Sequence, residues 1–218
     1  VSRESRKEDR LAFRRTVMKW VASLFVRRLF RISVEGAERF PEVGPLLVVG
    51  NHFHWSEPGL LGIVSPWHFE FLGSREAVRH RAYGWWLRLY NVIPVEKEGM
   101  NVEAFKRALD CLERGKIVGV FPEGRTHIGH LGEPWPGAGY LALKSGAPLL
   151  PVGIEGAFDA PTCWKALKRA PARIRIGEVF GPLQAPAEME RREAFQWATR
   201  EIMSQIAALL PEARRGLF

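Results

Sequence analysis

Leu46-Leu47-Val48-Val49-Gly50-Asn51-His52-Phe53-His54-Trp55-Ser56-Glu57-Pro58 passes from one kind of secondary structure to another. Leu46 to Gly50 is a continuous apolar run of strand length, which predicts a strand covered on both faces, as in a parallel sheet. Pro58 suits the first turn of a helix that continues through about Val64, with Ser56 or Glu57 as its cap. His52 therefore falls in the loop at the carboxyl end of a strand, where open α/β sheets take their ligands. A second stretch, Phe121-Pro122-Glu123-Gly124-Arg125, follows the strand-like run Ile117 to Phe121 in the same way.

Outward from these stretches, further strands are predicted at Arg31 to Glu35, Phe69 to Gly73, Val92 to Val95, Pro148 to Ile154 and Ala172 to Phe180. Helical patterns cover most of Arg75 to Tyr90, Val102 to Arg114, Gly137 to Ser145 and Glu188 to Leu210. Strands that alternate with helices predict an α/β fold, with a largely parallel or mixed central sheet flanked by helices. A chain of 218 residues that is 46% hydrophobic can bury a substantial core, and no repeat or low-complexity linker divides it. Its two cysteines, Cys111 and Cys163, have neither metal nor redox spacing, and a reducing setting is expected.

The net charge of +8 is unevenly spread: Val1 to Arg31 carries a net +7. This segment, 1–31, reads as an amphipathic helical arm ahead of a domain at 32–218. Phe13, Val17, Trp20 and Leu24 recur at the spacing of one helix face, with Arg14, Arg15, Lys19, Arg27 and Arg28 around them. Five charges between Leu11 and Phe30 argue against a membrane span, since each costs about 2.5–3.5 kcal/mol at its centre. The uncharged run from Trp20 to Val26 is also short for a signal peptide, and no small-residue cleavage site follows it. An interfacial helix on an anionic membrane surface is the expectation, with the rings in the acyl boundary and the basic residues near headgroups. A helix packed in the core with a solvated basic back is the alternative.

His52 and Glu57 are five residues apart and would point about 140° apart on one helix, so they can meet only if the loop turns between them. In that case the carboxylate fixes the ring and leaves the other nitrogen as a general base. Gly124 allows close approach of backbone to a ligand, Arg125 offers a planar fork for phosphate, and Lys97 ends another strand-like run. Together Lys97 and Arg125 could hold an acidic group beside the base.

The segments NHFHWSEP, VIPVEK, FPEGRTH and APLLPVGI, in this order and spacing, resemble the four motif blocks of the glycerolipid acyltransferases. They look most like those of the 1-acylglycerol-3-phosphate acyltransferases. The resemblance covers about Ile32 to Phe180. It implies transfer of a fatty acyl group from acyl-CoA or acyl carrier protein to the free hydroxyl of a lysophospholipid. By that likeness His52 is the base and Glu57 orients it; Glu123, Gly124 and Arg125 form the acceptor block; Lys97 faces the phosphate; Pro151 lies on the acyl-donor side. The acyl donor is a co-substrate, and neither a cofactor nor a metal is implied. The expected location is the cytoplasmic side of a membrane, peripheral or monotopic, without nucleic-acid partners. Four departures stand out. Glu57 replaces the usual aspartate, Arg125 precedes Thr126 instead of following it, Lys97 replaces arginine, and Pro136 stands where a basic residue is common. These departures bear on the acceptor more than on the base.

Two other classes fit parts of the sequence. His52, His54, His127 and His130 could bind zinc, with Glu57 or Glu123 as base, in a metal-dependent hydrolase, although the helical His-Glu-x-x-His signature is missing. A non-enzymatic membrane- or nucleic-acid-binding module would explain the basic arm alone. Trp85, Trp86 and Tyr90 could line an acyl groove or meet a bilayer, but aromatics at helical spacing more often pack in a core, as Cys111 is also expected to do.

Overall fold

The computed structural model describes residues 3–96, 101–127 and 129–218. Helix α1 (Arg3–Leu29) leads directly into β1 (Phe30–Glu35), and β2 (Leu46–Gly50), α2 (Glu57–Val64) and β3 (Phe69–Ser74) follow. Next come α3 (Arg75–Arg79), α4 (Gly84–Tyr90), β4 (Ile93–Val95), α5 (Val102–Glu113) and β5 (Ile117–Val120). The chain ends with α6 (Gly137–Ser145), β6 (Leu149–Glu155), α7 (Ala160–Lys165), β7 (Ala170–Ile176) and α8 (Arg191–Ala208).

The seven strands form one mixed sheet in the order β1-β7-β6-β2-β5-β3-β4. β6, β2, β5, β3 and β4 run parallel, β7 is antiparallel to β6, and β1 is parallel to β7. The α/β architecture expected from the sequence is therefore present, with its sheet of the mixed kind. β2 lies between β5 and β6, and all five of its residues are buried. Its side chains alternate between two cores. Leu47 and Val49 pack with residues of α5, α6 and α8; Leu46 and Val48 pack with Leu60 and Leu61 of α2. Burial on both faces explains why the strand reads as an unbroken apolar run.

The connection from β2 runs through α2 to β3 on the far side of β5, while that from β5 runs through α6 to β6 on the far side of β2. Neighbouring strands whose chains leave in opposite directions open a crevice at their carboxyl ends. Both motif stretches lie there.

Some features differ from expectation. The segment Arg75 to Tyr90 divides into α3 and α4, because the chain turns at His80 to Tyr83 and packs Gly84 against the Val78 carbonyl, where a Cβ would collide. β7 covers Ala170–Ile176, and beyond it only Phe180 still pairs, with Leu149. The register slips by one residue between that bridge and the Val152–Ile176 pair, which is a bulge. The short helix α7 was not foreseen.

α1 presents Phe13, Val17, Trp20 and Leu24 to the outside, with exposures of 72%, 43%, 64% and 54%. At about 100° per residue these four lie within roughly 60° of one another. The opposite face, with Arg15 and Met18, is buried against α2 and α4. Arg15 departs from the expectation of a headgroup-facing residue, because it is only 4% exposed. Its guanidinium makes paired bonds of 2.9 Å to both oxygens of Glu70 in β3, and Nε donates to the Tyr90 carbonyl at 2.9 Å. The guanidinium also lies 4.8 Å from the centre of the Tyr90 ring. An arginine can be buried there because fork, carboxylate and ring leave little of its charge unmet. Lys19 turns inward as well and donates to the Ser65 carbonyl, and burial lowers its pKa. Arg14, Arg27 and Arg28 are exposed. Among the described residues no helix is long and apolar enough to cross a membrane.

Replacing Glu70 with alanine leaves the Arg15 charge buried without its partner. Urea denaturation is expected to show a loss of about 3–5 kcal/mol, most of which returns in the double variant Arg15→Met/Glu70→Leu. Equal loss in both variants would assign the effect to packing alone.

Candidate active site

β2 delivers Asn51 and His52 to the crevice. The Asn51 side chain makes two bonds to the backbone of Ile154 in β6, accepting from its N–H at 2.6 Å and donating to its carbonyl at 2.8 Å. The end of β2 is therefore tied to its neighbour just before the histidine. The chain then turns, with the Glu57 N–H donating to the His54 carbonyl at 3.1 Å. This turn brings the Glu57 carboxylate, at the start of α2, back to His52.

Glu57 Oε2 lies 3.1 Å from His52 Nδ1 and accepts the Phe53 N–H at 2.7 Å. With Nδ1 carrying the proton, Nε2 has its lone pair free to accept another. The Glu57 side chain is 1% exposed and that of His52 18%. Burial pushes the Glu57 carboxyl well above its ordinary range, against the His54 and Phe53 N–H groups, which pull it down. Glu57 Oε1 is buried without a hydrogen-bond partner among the described residues. Burial lowers His52 to about 4, with the nearby Glu123 charge opposing the shift. The imidazole is therefore neutral near pH 7, as a general base requires.

Glu123, from the turn after β5, is fully buried. Its Oε2 accepts the His52 N–H at 2.5 Å and its Oε1 accepts the Gly132 N–H at 3.0 Å. Both oxygens are thus committed to backbone. The family resemblance assigns Glu123 to the acceptor block; in the structure it is buried and joins two loops through these bonds. Burial raises it to about 7, opposed by those same two N–H groups.

Gly124 has φ +65°, and a Cβ there would sit 3.1 Å from Trp135 Cδ1, so the turn depends on glycine. Arg125 is exposed, and its Nε donates to His127 Nε2 at 3.3 Å. His127 in turn donates its backbone N–H to the His52 carbonyl at 2.8 Å. The arginine therefore stands beside the loop that carries His52, held by the imidazole two residues on. Lys97 lies outside the described residues. Pro151 is buried inside β6, opposite Val49, with its carbonyl accepting the Gly177 N–H at 2.9 Å. It sits next to the bulge, which is where a strand tolerates proline, and acts on any ligand only through the strand.

The sequence gives Asn51 and Gly132 no role and names His127 only as a candidate metal ligand, although Asn51 adjoins His52 and His127 adjoins the Arg125 block. A Cβ at Gly132 would strike the His127 ring. For the zinc reading, the described residues contain no group of three or more His, Cys, Asp or Glu side chains placed to hold a metal. Trp86 and Tyr90 are half-buried and Trp85 is exposed; the Tyr90 hydroxyl accepts the Phe69 N–H at 3.2 Å. Cys111 is half-buried against the core of α5, α6 and α8.

A buried His-Glu pair in the switch-point crevice of such a sheet is equipped for proton abstraction from a hydroxyl. The family model described as Acyltransferase matches residues 31–155, more than half of the chain, and the chain belongs to that family of acyl-transferring enzymes. The 1-acyl-sn-glycerol-3-phosphate acyltransferase of Pseudomonas aeruginosa is 27% identical over 213 residues, spanning 92% of this chain and 81% of that protein. The lyso-ornithine lipid O-acyltransferase of the same organism is 30% identical over 139 residues, spanning 62% of this chain and 52% of that protein. The crystal structure of the 1-acyl-sn-glycerophosphate acyltransferase of Thermotoga maritima shares the fold, with a TM-score of 0.68 at 20% identity, over 93% of this chain and 82% of that one.

Because a lowered histidine pKa extends the neutral form to lower pH, the acid limb of kcat/KM governed by His52 is expected near pH 4. A limb near about 6.5, the value of a free imidazole, would contradict the desolvated site. Glu123 has the opposite sign: a carboxyl raised from 4.5 to about 7 makes folding less favourable as pH rises through that window. Glu123→Gln should therefore reduce the fall in stability between those pH values in denaturation measured across the range, and an unchanged slope would exclude Glu123 as its source.

Proposed function

We propose that this enzyme transfers a fatty acyl group from acyl-CoA or acyl carrier protein to the free hydroxyl of a lysophospholipid. The preferred acceptor is 1-acylglycerol-3-phosphate, which yields phosphatidic acid. The observation that carries this reading is the His52–Glu57 contact of 3.1 Å through Nδ1, which supports Nε2 as the nitrogen that acts as base. His52 Nε2 takes the hydroxyl proton as the oxygen attacks the thioester carbonyl. Glu57 stabilises the imidazolium that forms. When the tetrahedral intermediate collapses, the C–S bond breaks and Nε2 returns the proton to the departing thiolate.

Arg125, with Lys97 as its partner, receives the acceptor phosphate in this reading, and Gly124 keeps the backbone close to it. The name of the Pseudomonas relative with 27% identity supports this acceptor. The outward stripe Phe13, Val17, Trp20 and Leu24, flanked by Arg14, Arg27 and Arg28, rests in the interface of an anionic membrane and brings the site to its lipid. This contact is peripheral or monotopic and lies on the cytoplasmic side.

One observation favours a second reading in which the acceptor lacks a phosphomonoester. Arg125 precedes Thr126, and its Nε is directed to His127, while a relative with 30% identity is named for a lyso-ornithine lipid acceptor. Product analysis separates the two. With a labelled acyl donor and a panel of lysolipids, labelled phosphatidic acid from lysophosphatidic acid is the expected product, and labelling of phosphate-free lysolipids alone would reject the headgroup while keeping the chemistry. Offering acyl-CoA and acyl carrier protein in parallel identifies the donor. His52→Ala should lower transfer by about 10²–10⁴ and leave binding to anionic vesicles intact; full transfer by that variant would overturn the mechanism.

A further inference from the structure

α7 ends in a turn that acyl transfer leaves unused. The Lys168 N–H donates to the Cys163 carbonyl at 2.8 Å and the Leu167 N–H to the Trp164 carbonyl at 3.0 Å. These are the paired bonds of a Schellman cap, with Leu167 at its left-handed position. Leu167 has φ 56° there, a conformation that glycine adopts freely and residues with a Cβ avoid. Its side chain reaches solvent, with the residue 97% exposed. Leucine thus stands where glycine would suit the backbone better, and nothing in the core accounts for it.

Beside this turn is a cleft of about 680 Å³, lined chiefly by Arg28, Arg31, Lys168 and Arg169 next to Leu167. No lining residue is acidic, and among the described residues no carboxylate forms an ion pair with Arg28, Arg31 or Lys168. Arg169 is fixed in place, because Nε and Nη2 both donate to the Phe30 carbonyl, at 3.2 and 2.7 Å.

The turn is tied to the end of α1 and to the loop that carries His52. Trp164 Nε1 donates to the Leu29 carbonyl at 3.1 Å, in the last turn of α1, where Phe25 and Leu29 are 66% and 42% exposed. The Trp164 ring also meets Phe30 at 5.4 Å and His54 at 6.3 Å, and His54 belongs to the loop that carries His52.

We propose that the α7–β7 turn and its basic cleft bind the phosphate of an anionic phospholipid headgroup in a bilayer, while Leu167 enters the acyl boundary. Unpaired cations around an exposed apolar tip are the composition of an interfacial contact, and arginine forks match phosphate geometry. Charge alone would suit an acidic protein equally; the outward Leu167, in a turn bonded through Trp164 to the end of α1, favours lipid. The inference rests on the reading of α1 as a bilayer-facing helix, and the two fail separately. Trp20→Ser/Leu24→Ser should weaken binding to neutral and anionic vesicles alike, whereas the cleft distinguishes them.

The test is flotation of the full chain with vesicles of phosphatidylcholine and of phosphatidylcholine mixed with phosphatidylglycerol. Arg31→Gln/Lys168→Gln is expected to lower binding to the mixed vesicles about tenfold or more, leaving binding to phosphatidylcholine vesicles and transfer to a detergent-dispersed lysolipid within about twofold of the parent, since neither residue touches the active site. Leu167→Gly should weaken binding to both vesicle types several-fold without lowering the thermal midpoint, because glycine relieves the backbone; this variant separates binding from folding. Undiminished binding of the double variant to mixed vesicles would overturn the proposal. So would release of the parent protein from mixed vesicles by millimolar inorganic phosphate at constant ionic strength, which would mark a site for soluble anions. Loss of transfer from a carrier-protein donor alone, with vesicle binding intact, would assign the cleft to an acidic protein.

Discussion

Parallel pairing of β2 with β5, with Val49 opposite Val120, is the constraint on which the site depends. It brings two strand ends that are about seventy residues apart in sequence side by side at one rim. The Glu123 carboxylate then holds the two loops together through the His52 and Gly132 N–H groups. A buried carboxylate is costly to leave unpaired, and two backbone donors aimed at it meet that cost within the fold. The same contacts set the course of the His52 backbone, and the Asn51 bonds to Ile154 anchor it from the other side. Glu57 is therefore left with a small task, to turn one ring and hold its tautomer.

The electrostatics of the crevice follow from its dryness. Burial acts on His52 and on both carboxyls in the direction that favours neutral forms, lowering the base and raising the acids. Backbone N–H groups act against burial at Glu57 and Glu123, so each carboxyl sits between opposing influences.

α1 shows how one helix serves two surroundings. Arg15 and Met18 face the protein, with Arg15 joined to Glu70 across a buried fork. Phe13, Val17, Trp20 and Leu24 face away from it. The outward stripe was visible as periodicity, because side chains three and four apart share a face. The inward turn of Arg15 was not, since the sequence does not reveal that Glu70, in β3, would lie across from it.

How much could be read directly is clearest at β2 and α6. The apolar run Leu46 to Gly50 and the helix Gly137 to Ser145 were recognised with their observed limits, because burial on both faces and local helix signals are written in consecutive residues. The pairing of His52 with Glu57 was also legible, helped by Pro58, which marks the helix start that holds Glu57 at the end of the loop. Glu123 was identified as important, but as a ligand for the acceptor. Only the tertiary structure turned its two oxygens onto the backbone of His52 and Gly132, and set the strand that carries Pro151 beside a bulge. The division has a physical cause. The sequence by itself determined most of the strands and helices and the residue types at the crevice, since these follow from local periodicity and chemistry. The folded chain decided which polar groups meet, because the direction of a buried carboxylate depends on donors brought to it by segments far away in sequence.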